Sequence, residues 1–498
     1  MRRYLVGGAG IAVTAATLMA IEAAPTTATS HRAEDPPPLV MQAGADSVTV
    51  WKYGKRVDLD LGTYAVAGND PFEIRATRKS YHDPVEAVWR GPDGDVALPE
   101  GSVGNFRGLI DFYKLTVKDA DGKTVVSRKS GFCPSGDTVR VRPDAPAVSR
   151  YPWDCGGGMP FKIGAVWGFE AGHGIPFPEP YGTSITVPPG RYVAQVAITK
   201  KYRELFGIPE SDATATVKVR VRRAEDCEGP GCRDDGHAMH HSAGHRMTSM
   251  DGNDRNDNVV RPGERPTGPQ RVPAAGPKPD LRSVPAWGIR VRSGKYLAFS
   301  ATVWNAGNSP LVVDGFRRKN EALMDAYQYF FNADGDQVGY DEVGSMEWDP
   351  RPNHHHWHFR DFARYRLVDA DKEGVVRSKK EAFCLANTDA VDYTVDGANW
   401  QPGNTDLHTA CGEKNSLGLR EVLDSGSGDT YAQFRPGQSF VLKGIPNGTY
   451  YIEVRANPVQ NLVESDTSNN TAYRKVILKG KPGARTVTVP PVGLVDHR

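Results

Sequence analysis

Two stretches of this chain repeat one another, and the repeat limits the possible folds more than any other feature. Residues 113–133 read YKLTVKDADGKTVVSRKSGFC and residues 365–384 read YRLVDADKEGVVRSKKEAFC. Each gives Tyr, a basic residue, Leu, an Asp-Ala-Asp turn, a Val-Val run, a basic cluster and Phe-Cys. Upstream, YAVAGNDPFEI at 64–74 and TVWNAGNSPLVV at 302–313 share Ala-Gly-Asn-x-Pro. Downstream, DCGGG pairs with ACGEK, PPGRYVAQV with PNGTYYIEV, and PESD with VESD. Self-similarity at one long period marks a folding unit used twice, so a module of about 190 to 200 residues is expected at 38–222 and again at 279–480.

Within both modules, short runs of Val, Ile, Tyr, Phe and Thr alternate with polar residues and end in turns such as DADG, NAGNSP and PNGT. No long segment carries the 3.6-residue period of a helix. The expected fold class is all-β, two tandem β-sandwich modules. Between them, residues 223–278 are rich in Gly, Pro, Asp, Arg and Asn and read as a mobile linker; residues 481–498 read as a C-terminal tail.

The 498 residues carry a formal net charge of +1, which supplies no whole-molecule attraction for nucleic acid. The first thirty residues begin with Arg2 and Arg3, continue through an apolar and small-residue run to about Ala24, and end in small residues: the pattern of a secretory signal. No other stretch approaches the roughly 20 apolar residues of a membrane helix. A secreted or cell-surface protein without a stable membrane span is therefore expected. In an exported chain the six cysteines can pair, and their spacing groups them as Cys133 with Cys155, Cys227 with Cys232, and Cys384 with Cys411. Zinc is the rival, but no pair has knuckle spacing opposite a second such pair. Each module bridge would close a loop of roughly 20 to 30 residues, worth about 3 kcal/mol in chain entropy.

The stretch PNHHHWHF at 352–359 holds four of the thirteen histidines. On an extended strand His354, His356 and His358 share a face, with His355 and Trp357 pointing away. Three imidazoles with an open position suit Cu(II) or a catalytic Zn(II); a His-rich surface loop is the plain alternative. The first module reads EGSVGNFRGL at this place, with no histidine. A role in holding the fold would be expected in both copies. The linker adds His237, Met239, His240, His241, His245, Met247 and Met250, either a solvated spacer or a transient copper-capturing segment.

The stretches HHHWHFRDFARYRLVDA, KKEAFCLANTD, DTYAQF, PNGTYYIEVRANP and VESDTSNN occur in an order that resembles the catalytic domain of lysyl oxidases, copper amine oxidases acting on protein lysines. The resemblance covers most of 279–480. It implies copper on His354, His356 and His358, and a lysine tyrosylquinone cofactor made from Lys380 and Tyr431. It also implies oxidation of a peptidyl lysine or other primary amine to an aldehyde, with molecular oxygen as acceptor and with peroxide and ammonia released. The family's turn Asp maps to Asp369, a candidate proton-abstracting base. The first module keeps Lys129 and Asp119 at the places of Lys380 and Asp369, so both residues also suit a plain structural role. Counting back nineteen from the paired Tyr450 and Tyr192 sets Tyr431 against His173. The run HFRDFARY is one residue shorter than the family pattern, and the animal members carry more disulfides. The first module then reads as a silent relative that packs against, shields or feeds the second. Two other functions fit some of these features: a copper-binding or copper-storage protein that builds no quinone, and a wall-binding β-module.

Overall fold

The computed structural model describes residues 36–178, 183–226, 264–351, 355–377, 382–403, 411–435 and 437–495. The expected signal segment and the pair Cys227 and Cys232 lie outside them, as does the His/Met cluster.

Alternation of side chains builds the strands. In Thr214–Arg223, Ala215, Val217, Val219 and Val221 are buried while Thr216, Lys218 and Arg220 are exposed. In Gly448–Ala456 the buried apolar set is Tyr450, Ile452, Val454 and Ala456, and Glu453 is buried on the other face. A period of two with one apolar face is the signature of a sheet laid on a core. Strands dominate both halves. The one α-helix among the described residues is Lys200–Phe206, which buries Tyr202 and Phe206 and ends at the left-handed Gly207.

Each half contains three sheets. In the N-terminal half one sheet is ordered Leu39–Ala43, Thr63–Ala67, His173–Pro176, Val139–Arg140. Its counterpart in the C-terminal half is ordered Leu281–Ser283, Tyr296–Asn305, Ser427–Tyr431, Asp389–Ala390. A second sheet is ordered Gly164–Phe169, Phe72–Thr77, Glu86–Gly91, Gly94–Ala97. Opposite it stands Gly418–Leu423, Leu311–Arg317, Leu323–Phe331, Gln337–Asp349, extended by His356–Arg360 and Ala382–Phe383. The third contains Thr214–Arg223, Gly190–Ile198, Leu109–Lys118 and Thr124–Phe132 in the N-terminal half, and Thr471–Lys481, Gly448–Ala456, Ala363–Val368 and Gly374–Arg377 in the C-terminal half.

Local details correspond as well. Asp111 and Asp361 are both left-handed (φ 53° and 60°). The hydroxyls of Tyr192 and Tyr450 each donate to a proline carbonyl four residues back, Pro188 and Pro446. Corresponding registers set Leu115, not Tyr113, against Tyr365: Tyr113 pairs with Ile198 and Ala363 with Ala456. The two Asp-Ala-Asp turns begin six and four residues after their tyrosines, which is why matching the tyrosines shifts the strand by two.

The halves share buried surface. Met159 and Phe161 of the first pack with Val284, Trp304, Val391 and Val495 of the second. Ile163 N donates to Val391 O (2.8 Å), and the rings of Tyr151 and Trp400 stack 5.7 Å apart. Between them Lys162 is 1 % exposed. Burial pushes its ammonium down to about 8, against the pull of Asp154, Asp389 and Asp392.

Two expected boundaries differ in the structure. Residues from 264 onward are not a free spacer: Arg265 pairs with Asp325 and donates to Phe316 O, and Arg271 N donates to Tyr340 O (2.9 Å). Nor is the segment after 481 a loose tail. Ala484–Thr488 adds an edge strand to Thr471–Lys481, and Leu494 N donates to Tyr81 O (2.7 Å).

Candidate metal and tyrosine site

Strand His356–Arg360 runs antiparallel to Gln337–Asp349, with Asp349 opposite His356, Trp348 opposite Trp357 and Glu347 opposite His358. Trp357 and Phe359 are fully buried in the core, so alternation turns His356 and His358 to the other face. Their rings lie 4.6 Å apart at 81°. His358 is 1 % exposed and His356 half-buried. His355 stands apart as expected: it is exposed, lies parallel to Trp348 and has Nε2 3.1 Å from Pro350 O. His354 lies outside the described residues.

A carboxylate supports the pair. Asp349 Oδ2 is 3.5 Å from His358 Nδ1, and Arg351 Nε donates to both Asp349 oxygens (2.8 and 3.0 Å). Burial raises the Asp349 pKa, but the hydrogen bonds and charge of Arg351, with His358, outweigh it and hold the carboxyl at about 2. An anion on one ring nitrogen orients the imidazole and makes the other a better metal donor. Among the described residues no group of three His, Cys, Asp or Glu side chains converges as a metal cluster. The two imidazoles and their carboxylate nevertheless fit a nitrogen-seeking metal such as copper or zinc.

Tyr431 is held to this strand through the disulfide. Cys384 and Cys411 are bonded (Cα–Cα 5.8 Å), and Cys411 O accepts from Trp357 N (2.9 Å), between the two histidines. Cys384 N donates to Tyr431 Oη (2.9 Å), which donates back to Cys384 O (3.0 Å). The Tyr431 ring meets Phe383 edge-on at 4.9 Å. Burial pushes the phenol well above its ordinary range, and the Asp429 and Glu421 carboxylates push it further. Lys380 lies outside the described residues.

In the N-terminal half the matching disulfide joins Cys133 and Cys155 (Cα–Cα 5.9 Å). There Phe177 meets Phe132 at 4.7 Å and 73°, an edge contact like that of Tyr431 with Phe383. Counting had set His173 against Tyr431, but Gly172 N and Gly426 N bond the corresponding strands at Ala67 and Asn305, and five residues on are Phe177 and Tyr431. His173 is a core histidine whose ring nitrogens face Thr138 Oγ1 (3.0 Å) and Pro146 O (2.7 Å).

Asp369 caps a turn. Its Oδ1 accepts from Asp371 N and Glu373 N in the turn beyond strand Ala363–Val368, as Asp119 Oδ1 accepts from Asp121 N and Lys123 N. The same turn occurs in both halves, which gives the residue a structural role. Two buried carboxylates near Tyr431 were missed instead: Asp429, 3 % exposed, and Glu421, 1 % exposed, whose Oε2 accepts from Leu385 N (2.9 Å). The sequence did hold a signal for Glu421. In GLREVL it occupies the inward position between Leu419 and Leu423, where a charge needs a reason.

Residues 332–487 match the family model described as Lysyl oxidase. The matched region contains the histidine strand, Lys380, Tyr431 and the Cys384–Cys411 bridge; the N-terminal half lies outside it. No curated protein matches the chain. No helix among the described residues is long and apolar enough to cross a membrane, and the two disulfides suit an oxidising compartment.

Proposed function

We propose that this protein is a secreted amine oxidase of lysyl oxidase type, dependent on copper and on a quinone built from Lys380 and Tyr431. The observation that carries the reading is the tie between the histidine face and the buried Tyr431 hydroxyl through Cys384–Cys411. His356 and His358, with His354 two residues before His356 in the sequence, would hold copper, and Asp349 would orient His358. Copper, when bound, would supply the oxidising power for which Tyr431 is the candidate quinone precursor, a quinone being the electrophile a primary amine needs. The chain's own part is to keep the phenol dry and aimed, through the two Cys384 hydrogen bonds and the Phe383 edge. For proton transfer we propose Asp429 or Glu421 in place of Asp369, because both act on the Tyr431 phenol from buried positions. The overall change consumes amine, oxygen and water and yields aldehyde, ammonia and hydrogen peroxide.

The N-terminal half belongs to the same proposal. The common order of the three sheet pairs, the twin Asp turns and the paired disulfides support a duplication in which that half lacks the histidines and carries Phe177 for Tyr431. Peroxide release from copper-loaded protein given lysine-bearing peptides tests the reading. Wild type is expected to release it, and Tyr431→Phe and His356→Ala are not. Copper binding without peroxide from wild type would leave a copper-binding protein instead.

A further inference from the structure

The outer face of the seven-stranded sheet is predominantly basic. Five of its seven strands, Ser47–Tyr53, Thr214–Arg223, Gly190–Ile198, Leu109–Lys118 and Thr124–Phe132, contain a single carboxylate, Asp111, near the start of one strand, and the short strand Arg56–Asp58 adds Asp58, which pairs with Arg56 (3.4 Å). Lys114, Lys118, Lys129, Arg191, Lys218 and Arg220 are all exposed, and none makes an ion pair with a carboxylate among the described residues. Register aligns them into rows. Arg191 stands directly opposite Arg220, Lys118 and Lys218 flank Val193, and Lys114 stands directly opposite Lys129. Like charges placed directly opposite across strands destabilise a sheet, and two such pairs occur here. The rows from Arg191 to Lys114 cover about 20 Å along the strands. At the Lys114 end the face opens into a cavity of about 450 Å³, where Lys201 and Lys200, the latter paired with Glu204 (3.5 Å), join Lys114 and Lys129, with Asp111 also on its wall.

The corresponding sheet in the other half is also basic, with Arg364, Arg455, Lys475, Lys479 and Lys481 beside Arg366, but there Arg366 is paired through two hydrogen bonds with the buried Glu453 (2.8 and 2.6 Å). The whole chain's charge is +1, so the basic face is a local concentration and not a share of a general excess.

We propose that this face is a docking surface for a linear acidic polysaccharide, a partner whose repeated carboxylates or sulfates match the charged rows. Thr116, Gln195 and Thr216 lie side by side between those rows and offer hydrogen bonds to sugar hydroxyls. Nucleic acid fits less well. Single strands need a track of exposed rings for base stacking, and here the rings are confined to Trp51 and Tyr53 on one strand, with Trp51 under the Arg222 guanidinium at 5.2 Å. Docking through the N-terminal half would leave the Tyr431 site of the other half free to act.

The test is binding of full-length protein to heparin and to polygalacturonate, with dextran and a single-stranded DNA oligonucleotide as comparison probes. Both acidic glycans are expected to bind, with affinity falling as salt rises, and dextran is not. Arg191→Gln/Lys218→Gln/Arg220→Gln is expected to weaken binding about tenfold, from three modest surface contacts. Lys319→Gln/Lys443→Gln/Lys481→Gln, which removes the same charge from the other half, is expected to change it less than about twofold. Peroxide release is expected to stay at the wild-type value in both, and melting temperature is expected not to fall in either and to rise slightly in the first, where the Arg191–Arg220 repulsion is relieved. Equal loss in the two variants, absence of glycan binding, or DNA binding as tight as heparin would overturn the proposal.

Discussion

One hydroxyl separates Tyr431 from Phe177, whose ring meets Phe132 in the N-terminal half much as Tyr431 meets Phe383, and the proposed chemistry turns on it. Phe177 keeps the edge-on packing and has no oxygen to bond the neighbouring cysteine. Tyr431→Phe should therefore fold, losing about 1–2 kcal/mol with its buried hydrogen bonds, while peroxide release disappears; a melt and an oxidase assay check the two halves of that statement. Asp349 belongs to the same scale. Its contact with His358 predicts that Asp349→Asn weakens copper retention by about tenfold in a chelator competition, without the loss of fold that a core defect would bring. That His356 and His358 share a face was legible in the sequence because strand alternation acts locally. The place of Tyr431 was not, since counting from Tyr450 and Tyr192 crosses loops of unequal length. Glu421 and Asp429 needed the tertiary fold to reveal what they surround.

Among the elements, the Cys384–Cys411 bridge connects more of the site than its chain-entropy value conveys. Cys384 holds the Tyr431 hydroxyl and Cys411 holds the backbone of the histidine strand, so the bridge sets the one against the other. Its loop separation of 27 residues is close to the 22 of Cys133–Cys155, and each should contribute about 3–4 kcal/mol. Replacing Cys133 and Cys155 by Ser should lower stability by about that amount and leave copper retention unchanged in the folded protein. Replacing Cys384 and Cys411 should lower both, as denaturant melts and bound copper per chain would report. Both bridges were legible from spacing alone. The role of Asp369 was not decided by spacing, because a turn Asp and a catalytic Asp look alike until the turn's N–H groups are seen to occupy it.

At the scale of the molecule, the repeated motifs made two β-rich halves legible, but not their shared core. Nothing local marks Lys162 as a residue buried between the halves, nor the segment from 264 onward as docked. Lys162 gives that junction a pH signature. Its ammonium is held near 8 in the folded chain against about 10.5 unfolded, so between those values the unfolded chain binds the extra proton and stability rises with pH. Lys162→Met should flatten that rise, on the order of 3 kcal/mol at most, and should stabilise the protein at pH 7 if the methionine packs as well. Unfolding titrations from pH 7 to 10.5 on both proteins measure it. The central claim concerns what the C-terminal half does with Tyr431 and Lys380, and mass mapping of peptides from copper-loaded, aerobically incubated protein tests it most directly. A crosslinked, oxidised peptide pair joining Lys380 to Tyr431, absent from metal-free protein, is expected. Unmodified Tyr431 and Lys380 peptides from fully copper-loaded, oxygenated protein would contradict it.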